Sequence, residues 1–261
     1  MDSVKYCKIG FIRFSLFVFF VQGVILMNRW YMLFLIGIAG IMVSASFLRA
    51  EEPQEVPEGF VSLFDGKTLD GWKGDPKYWS VEEGCITGRS TEETPVPYST
   101  FLVWEGEPVG DFVLLVTFRI LSGNSGIEYR AWEDPAREFG LNGYQADVCP
   151  GDIMGLLYGE ALGEIIAMRG QSAKFDKDGN KTLTTFATLE KMAESIDMNG
   201  WNTYRIEAKG NTFTQYLNDV KMSELVDERP NSPTKGIFGL QIHPGPPMCF
   251  QYKNIYLKTL D

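Results

Sequence analysis

Asp111-Phe112-Val113-Leu114-Leu115-Val116-Thr117-Phe118-Arg119-Ile120-Leu121 is the stretch whose reading decides the fold. Phe112, Leu114, Val116, Phe118 and Ile120 recur at every second position, so an extended chain places all five on one face. Working outward, short β-like runs alternate with Gly, Pro, Asn and Asp. Upstream they are residues 61–64, 78–81 and 100–104. Downstream they are 126–131, 144–149, 155–158, 164–168, 201–209, 212–217, 236–243 and 250–257. Only residues 184–196 read as a helix, through Phe186, Leu189, Met192 and Ala193. Many short strands with turns between them predict an all-β sandwich or jelly roll of antiparallel sheets with one short helix, not a parallel α/β sheet.

The first fifty of the 261 residues are unlike the rest. Residues 9–27 are apolar but contain Arg13 and Gln22, whereas residues 31–48 are cleaner and follow Met27-Asn28-Arg29. The second run ends in Val43-Ser44-Ala45, with Ala50 as another cleavage point. This predicts an upstream extension over 1–26 and a secretory signal over 27–50, then a Pro-containing acidic linker over 51–59 and one domain over 60–261. The protein is then exported, periplasmic or secreted. The competing reading is a membrane anchor, since either apolar run approaches the ~20 residues that span a bilayer.

Without the leader the chain is strongly acidic. Removing Lys5, Lys8, Arg13, Arg29, Arg49 and Asp2 from totals of 24 basic and 34 acidic residues leaves 19 and 33, a net charge of −14. Such a surface repels phosphate backbones and anionic lipid, so nucleic acid is excluded as an expected partner and a neutral small molecule fits better. Solubility alone also accounts for the charge. Cys85, Cys149 and Cys249 have no zinc-motif spacing and read as buried thiols.

Alternation also sorts the polar residues. Ile127 and Tyr129 point one way, and Glu128 and Arg130 the other. Tyr144, Ala146 and Val148 face the core, leaving Gln145 and Asp147 together. Leu240 and Ile242 turn inward, and Gln241 and His243 outward. If these strands are neighbours, the six polar side chains line one groove, with Tyr158, Glu160 and Arg169 as further members. Blander readings stand beside each: a surface ion pair for Glu128 and Arg130, neighbour-orienting roles for the two glutamines, and an ordinary surface residue for His243, the one histidine. Asp147 is the strongest candidate because unpaired acids are depleted in strands. Trp72, Trp104, Trp132 and Trp201 could stack on sugars, with core packing as their default.

Familiar catalytic signatures are missing from the sequence: no paired-carboxylate Glu-x-Asp-x-x-Glu strand, no Gly-x-Ser-x-Gly, no His-Glu-x-x-His and no P-loop. Asp176-Lys177-Asp178-Gly179-Asn180 starts like a calcium loop, but its Gly comes early and Ala187 stands where the distal Glu belongs, which predicts a surface turn.

Several segments match a family pattern in order. They are Phe60-Val61-Ser62-Leu63-Phe64-Asp65-Gly66-Lys67-Thr68-Leu69-Asp70-Gly71-Trp72, Asn124-Ser125-Gly126-Ile127-Glu128-Tyr129-Arg130, and Gly143-Tyr144-Gln145-Ala146-Asp147 with Leu157-Tyr158-Gly159-Glu160. Gly200-Trp201-Asn202-Thr203-Tyr204, Leu240-Gln241-Ile242-His243 and Asn254-Ile255-Tyr256-Leu257-Lys258 complete the series. Over nearly all of 58–261 the chain resembles the 3-keto-disaccharide hydrolase domain family. The resemblance implies a concanavalin-A-like sandwich of two curved antiparallel sheets and a carbohydrate substrate. The family often carries Glu-x-Gln where this chain has Gln145-Ala146-Asp147, so the carboxylate here is Asp147.

The implied activity is cleavage of glycosides oxidised to a ketone at C3. The ketone acidifies the C2 proton, a base removes it, the leaving sugar departs, and water adds back. That chemistry requires a base, an electrophile for the enolate oxygen, and an acid for the leaving oxygen. Asp147 or His243 suits the base, Glu128 or Glu160 the acid, and Arg130 or a bound divalent cation the enolate. Gln145, Gln241, Tyr158 and Arg169 are the expected substrate-binding residues, and Asp147, Glu160 and His243 the candidate metal ligands. Two alternatives stand: a non-catalytic carbohydrate-binding module using the same groove, and a structural envelope protein with scattered polar residues and no pocket.

Overall fold

A strand needs one apolar face to bury, and the run over 111–121 has it: Phe112, Leu114, Val116 and Phe118 are each at most 1% exposed. Burying side chains of this size contributes about 1.5–3 kcal/mol each. The computed structural model describes residues 55–260, so the leader readings and the start of the linker lie outside the described residues.

Among the described residues, seventeen strands and one helix follow in order. The first six are β1 (Val61–Ser62), β2 (Trp72–Lys73), β3 (Trp79–Glu82), β4 (Cys85–Arg89), β5 (Thr100–Trp104) and β6 (Phe112–Ser122). Next come β7 (Ser125–Glu133), β8 (Leu141–Val148), β9 (Leu157–Gly159), β10 (Glu164–Ala167), β11 (Gln171–Phe175) and β12 (Lys181–Thr185). Helix α1 (Leu189–Ala193) precedes β13 (Asn202–Lys209), β14 (Thr212–Leu217), β15 (Val220–Asp227), β16 (Ile237–Ile242) and β17 (Cys249–Thr259).

They form two sheets. A ten-stranded sheet runs β12-β11-β15-β14-β13-β6-β17-β4-β3, with β1 added beside β17. A seven-stranded sheet runs β10-β9-β8-β7-β16-β5-β2. All pairings between named strands are antiparallel except β11 with β15. The main core fills the space between the sheets, with Phe112, Leu114, Val116, Phe118, Tyr204, Phe213 and Tyr252 from the larger and Ile127, Tyr129, Tyr144, Ala146, Val148, Leu240 and Ile242 from the smaller. This is the jelly-roll sandwich of two antiparallel-dominated sheets that the sequence predicts.

Some expectations need correction. The helix is shorter than 184–196: Thr184 and Thr185 end β12, Thr188 caps the helix by accepting from the Lys191 N–H, and of the predicted apolar positions only Met192 is buried. Strands β2, β4, β11, β12 and β15 fall outside the runs that alternation marks; β12, for example, is exposed throughout and carries no apolar alternation. Trp72 belongs to the core, where its indole N–H donates to the Leu63 carbonyl, and Trp104 packs on Phe238. The segment over 176–180 is a surface turn: the Asp176 carboxylate accepts from the main-chain N–H groups of Asp178 and Asn180. Cys85 and Cys249 are buried as expected, whereas Cys149 is only half-buried.

Candidate functional site

Register places the polar residues. Glu128 on β7 pairs with Gln145 on β8, and Gln145 pairs with Tyr158 on β9. Gly126 pairs with Asp147, and Gly239 on β16 pairs with Glu128. Directly paired residues share a face, so Glu128, Gln145, Asp147 and Tyr158 stand together on the side of the seven-stranded sheet away from the main core. Gln241, two residues beyond Gly239, joins them. Glu128 and Asp147 are diagonal neighbours, which puts their Cα atoms about 7–8 Å apart.

Two glycines make this packing possible. A Cβ on Gly126 would come within 2.3 Å of the Gln145 side-chain amide carbon, so the Gln145 head lies over Gly126, beside Asp147. A Cβ on Gly239 would meet the Leu141 side chain at 2.3 Å. Leu141 belongs with Phe101, Val103 and Ala131 to a small second apolar cluster. The segment over 134–140 adjoins the same face. Arg137 donates through Nε to Asp134 at 2.7 Å, through Nη1 to Glu160 at 3.0 Å, and through Nη2 to the Leu141 carbonyl at 3.1 Å.

The oxygens of this face are unspent. Both carboxyl oxygens of Glu128, Oε1 of Gln145, Oδ1 of Asp147 and Oε1 of Gln241 are buried without a hydrogen-bond partner. Buried charge without a partner is costly, and the acids respond by holding their protons. Burial pushes the Asp147 carboxyl up to about 8, against a small opposing pull from the Val148 N–H. Burial also drives Glu128 well above the usual carboxylate range, with the Glu160 charge adding to the rise and Arg137 opposing it. The Tyr158 hydroxyl is raised by burial and then by the charges of Glu160, Asp147 and Glu128.

The predicted set is therefore only partly assembled. Glu128, Gln145, Asp147, Tyr158 and Gln241 share the face, and Glu160 adjoins it through Arg137. Arg130 does not. Strand β7 carries one extra residue relative to both neighbours, the register slipping between Tyr129 and Trp132 against β8 and between Ile237 and Gly239 against β16. At this bulge Arg130 takes φ 49, and its side chain turns inward. It donates to Asp111 at 2.8 Å and to the Pro233 carbonyl at 3.0 Å, beneath the rings of Phe112 and Phe213. Strict alternation fails where one residue is inserted.

Arg169 is a loop clamp. Its guanidinium donates to the carbonyls of Gly151, Met154 and Leu189 and to the Asp152 carboxylate. His243 lies just beyond β16, and its Nδ1 donates to the Pro244 carbonyl at 2.6 Å. No hydrogen bond or ion pair joins it to the acids among the described residues. Nor does any group of three His, Cys, Asp or Glu side chains among them stand close enough to hold a metal, so Asp147, Glu160 and His243 do not form the expected ligand set. Sequence reasoning missed Arg137. It sits in a turn with no periodicity, and only the closure of that turn onto β8 and β9 brings it to the acids.

The fold and this acid-bearing sheet face define a class. Residues 59–258 match the model of the 3-keto-alpha-glucoside-1,2-lyase-like domain, and the chain belongs to that family. A curated relative, the 3-keto-disaccharide hydrolase of Bacteroides thetaiotaomicron, is 26% identical over 182 residues. The alignment covers 64% of this chain and 58% of the relative's length. Among solved structures, a candidate glycosyl hydrolase from Parabacteroides distasonis superposes with a TM-score of 0.51 at 20% identity, covering 78% of this chain and 95% of that one. A second candidate glycosyl hydrolase from the same organism gives 0.50 at 18% identity, covering 77% and 99%. These two likenesses show a shared fold.

Proposed function

We propose that this protein cleaves glycosides carrying a ketone at C3, by elimination followed by hydration, on the outer face of the seven-stranded sheet. The observation that carries the reading is Asp147: a carboxyl on a face of unspent oxygens, unpaired at Oδ1 and pushed up to about 8, in a chain of this family. A base is most effective when its affinity for the proton lies near the working pH. In its ionised form Asp147 takes the C2 proton, whose C–H electrons form the enolate of the C3 ketone. The enolate collapses to a C1=C2 double bond as the C1–O bond breaks, and Glu128, held protonated, supplies the proton to the departing oxygen. Water then adds across C1=C2, its hydroxyl going to C1 and a proton to C2. Arg137 supplies positive charge beside the acids, in place of the core-facing Arg130. Gln145, Gln241 and Tyr158 offer hydrogen bonds to sugar hydroxyls.

Incubating the purified protein with a 3-keto-disaccharide and following the released monosaccharide tests the reading. Release by wild type and not by Asp147→Asn supports it. Saturable binding of the sugar without release would leave a carbohydrate-binding module as the function. The leader supports export as a further proposal, checked by the mass of the mature amino terminus: a start after Ala45 or Ala50 fits a cleaved signal, and an intact terminus in the membrane fraction rejects it.

A further inference from the structure

The main chain beneath the site is held from across the sandwich. The Asp147 carbonyl accepts from the Tyr204 hydroxyl at 2.7 Å. The Gln145 carbonyl accepts from Nε2 of Gln215 at 3.2 Å. The Gln241 carbonyl accepts from the Ser125 hydroxyl, which lies 2.6 Å from the hydroxyl of Tyr252. Tyr204, Gln215 and Tyr252 stand on β13, β14 and β17, three strands of the larger sheet. Gln215 is itself fixed by the Ser223 hydroxyl at 2.9 Å and the Tyr129 hydroxyl at 3.0 Å. Tyr204, Gln215, Ser223, Ser125 and Tyr252 are all fully buried.

Packing alone does not call for these polar groups. The Tyr204 ring stacks on Phe118 with centroids 5.3 Å apart, and phenylalanine would fill that space equally well. Replacing buried polar partners by apolar groups of similar shape is often neutral or stabilising. Three links cross the core, and they end on Gln145, Asp147 and Gln241. Those three residues carry unpaired side-chain oxygens on the opposite face. A residue's carbonyl and Cβ share one Cα, so fixing the peptide fixes where the side chain stands. Reacting groups need that placement to within about 0.5 Å.

We propose that Tyr204, Gln215 and the Ser125–Tyr252 pair are positioning residues that set the height and tilt of Asp147, Gln145 and Gln241, so that the ten-stranded sheet shapes a site it does not line. The proposal rests on the reading of the outer face as the reacting site.

Tyr204→Phe removes one oxygen and keeps the ring. Its test pairs kcat and KM on a 3-keto-glucoside with the titration of the Asp147 carboxyl, followed by 13C NMR. The titratable groups around Asp147 are Tyr158 and Cys149, Tyr204 and Tyr252 behind its strand on the core side, all with raised proton affinity, and Glu128 next along the face, which is followed by its own resonance. The expected result is a kcat lower by about tenfold with KM nearly unchanged, the signature of a misplaced reacting group. The Asp147 midpoint should move down, because a loosened strand lets its carboxyl reach water. Tyr78→Phe is the control: it deletes another buried hydroxyl, bonded to the Pro95 carbonyl at 2.9 Å, and should lower the melting temperature alone. If Tyr204→Phe behaves like this control, with kcat and the Asp147 midpoint at wild-type values, the proposal is overturned. Should wild type fail to turn over the keto sugar, the active-site reading falls and the titration alone decides: a midpoint that stays put overturns the positioning, and a downward shift supports it. Should Tyr204→Phe not fold, Gln215→Met, which frees the Gln145 carbonyl on the same strand, is read by the same two measurements.

Discussion

Asp227 and Asp147 are both buried aspartates, one on the core side of the sandwich and one on the outer face of the smaller sheet, and their surroundings push their proton affinities in opposite directions. Burial alone would raise Asp227, but Nε and Nη2 of Arg229 at 2.8 and 2.7 Å, the Tyr144 hydroxyl and the Arg229 main-chain N–H outweigh it and hold the carboxyl below its ordinary range. Asp147 has no such partners, and burial prevails. The side chain is the same; its surroundings decide whether it anchors the fold or keeps a proton to exchange. The faces differ in the same way. Core-side polar groups such as Tyr129, Gln215 and Ser223 are bonded to one another, while the outer-face oxygens of Glu128, Gln145, Asp147 and Gln241 are left free.

The comparison breaks most visibly by exchanging the losses. Asp147→Asn should cut turnover by about 10²-fold or more, the usual size of a lost acid or base, while its urea midpoint holds or rises. Asp227→Ala should do the reverse, costing about 3 kcal/mol through the unpaired Arg229 and leaving turnover intact in the protein that still folds. A large activity loss in the second variant, or a collapse of the first, would falsify the division of labour.

Stability against pH sharpens the contrast. A carboxyl whose affinity for the proton is raised by folding keeps its proton in the native state while the unfolded chain ionises. Its contribution therefore falls as pH rises from about 4 to about 8, by at most about 1.4 kcal/mol per pH unit. Asp227 has the opposite sign: its contribution is present above the unfolded value of 3.8 and is lost as pH falls through its lower folded value. Urea melts of wild type and Asp147→Asn across this range should converge at low pH and separate as pH rises; parallel curves would show that Asp147 is not a buried, unpaired acid.

Two smaller effects probe the residues that the structure moved off the face. Arg130→Met places an apolar chain between Phe112 and Phe213 and should shift stability modestly, since Asp111 is 38% exposed and stays hydrated. KM should be unchanged, because Arg130 faces the core; a rise in KM would return it to the site. His243→Ala should leave kcat within error, and a loss comparable to that of Asp147→Asn would make His243 the base instead.

The sequence by itself determined the class of fold, because period-two burial is a local property: Phe112, Leu114, Val116 and Phe118 can share a face only in an extended chain, and such faces must meet another sheet. It also placed Glu128, Gln145, Asp147 and Gln241 opposite apolar neighbours, and register did the rest. The bulge at Arg130 was not legible, since one inserted residue leaves no mark on composition and is visible only against β8 and β16. Arg137 was hidden for a related reason, as a turn without periodicity reaches Glu160 only once the chain has closed. The charge of Asp147 depends on which groups fold near it and which do not. The links from Tyr204, Gln215 and Tyr252 join residues as much as 127 positions apart along the chain. Only the packing of one sheet on the other could decide those contacts, because no local rule fixes which hydroxyl meets which carbonyl across a core.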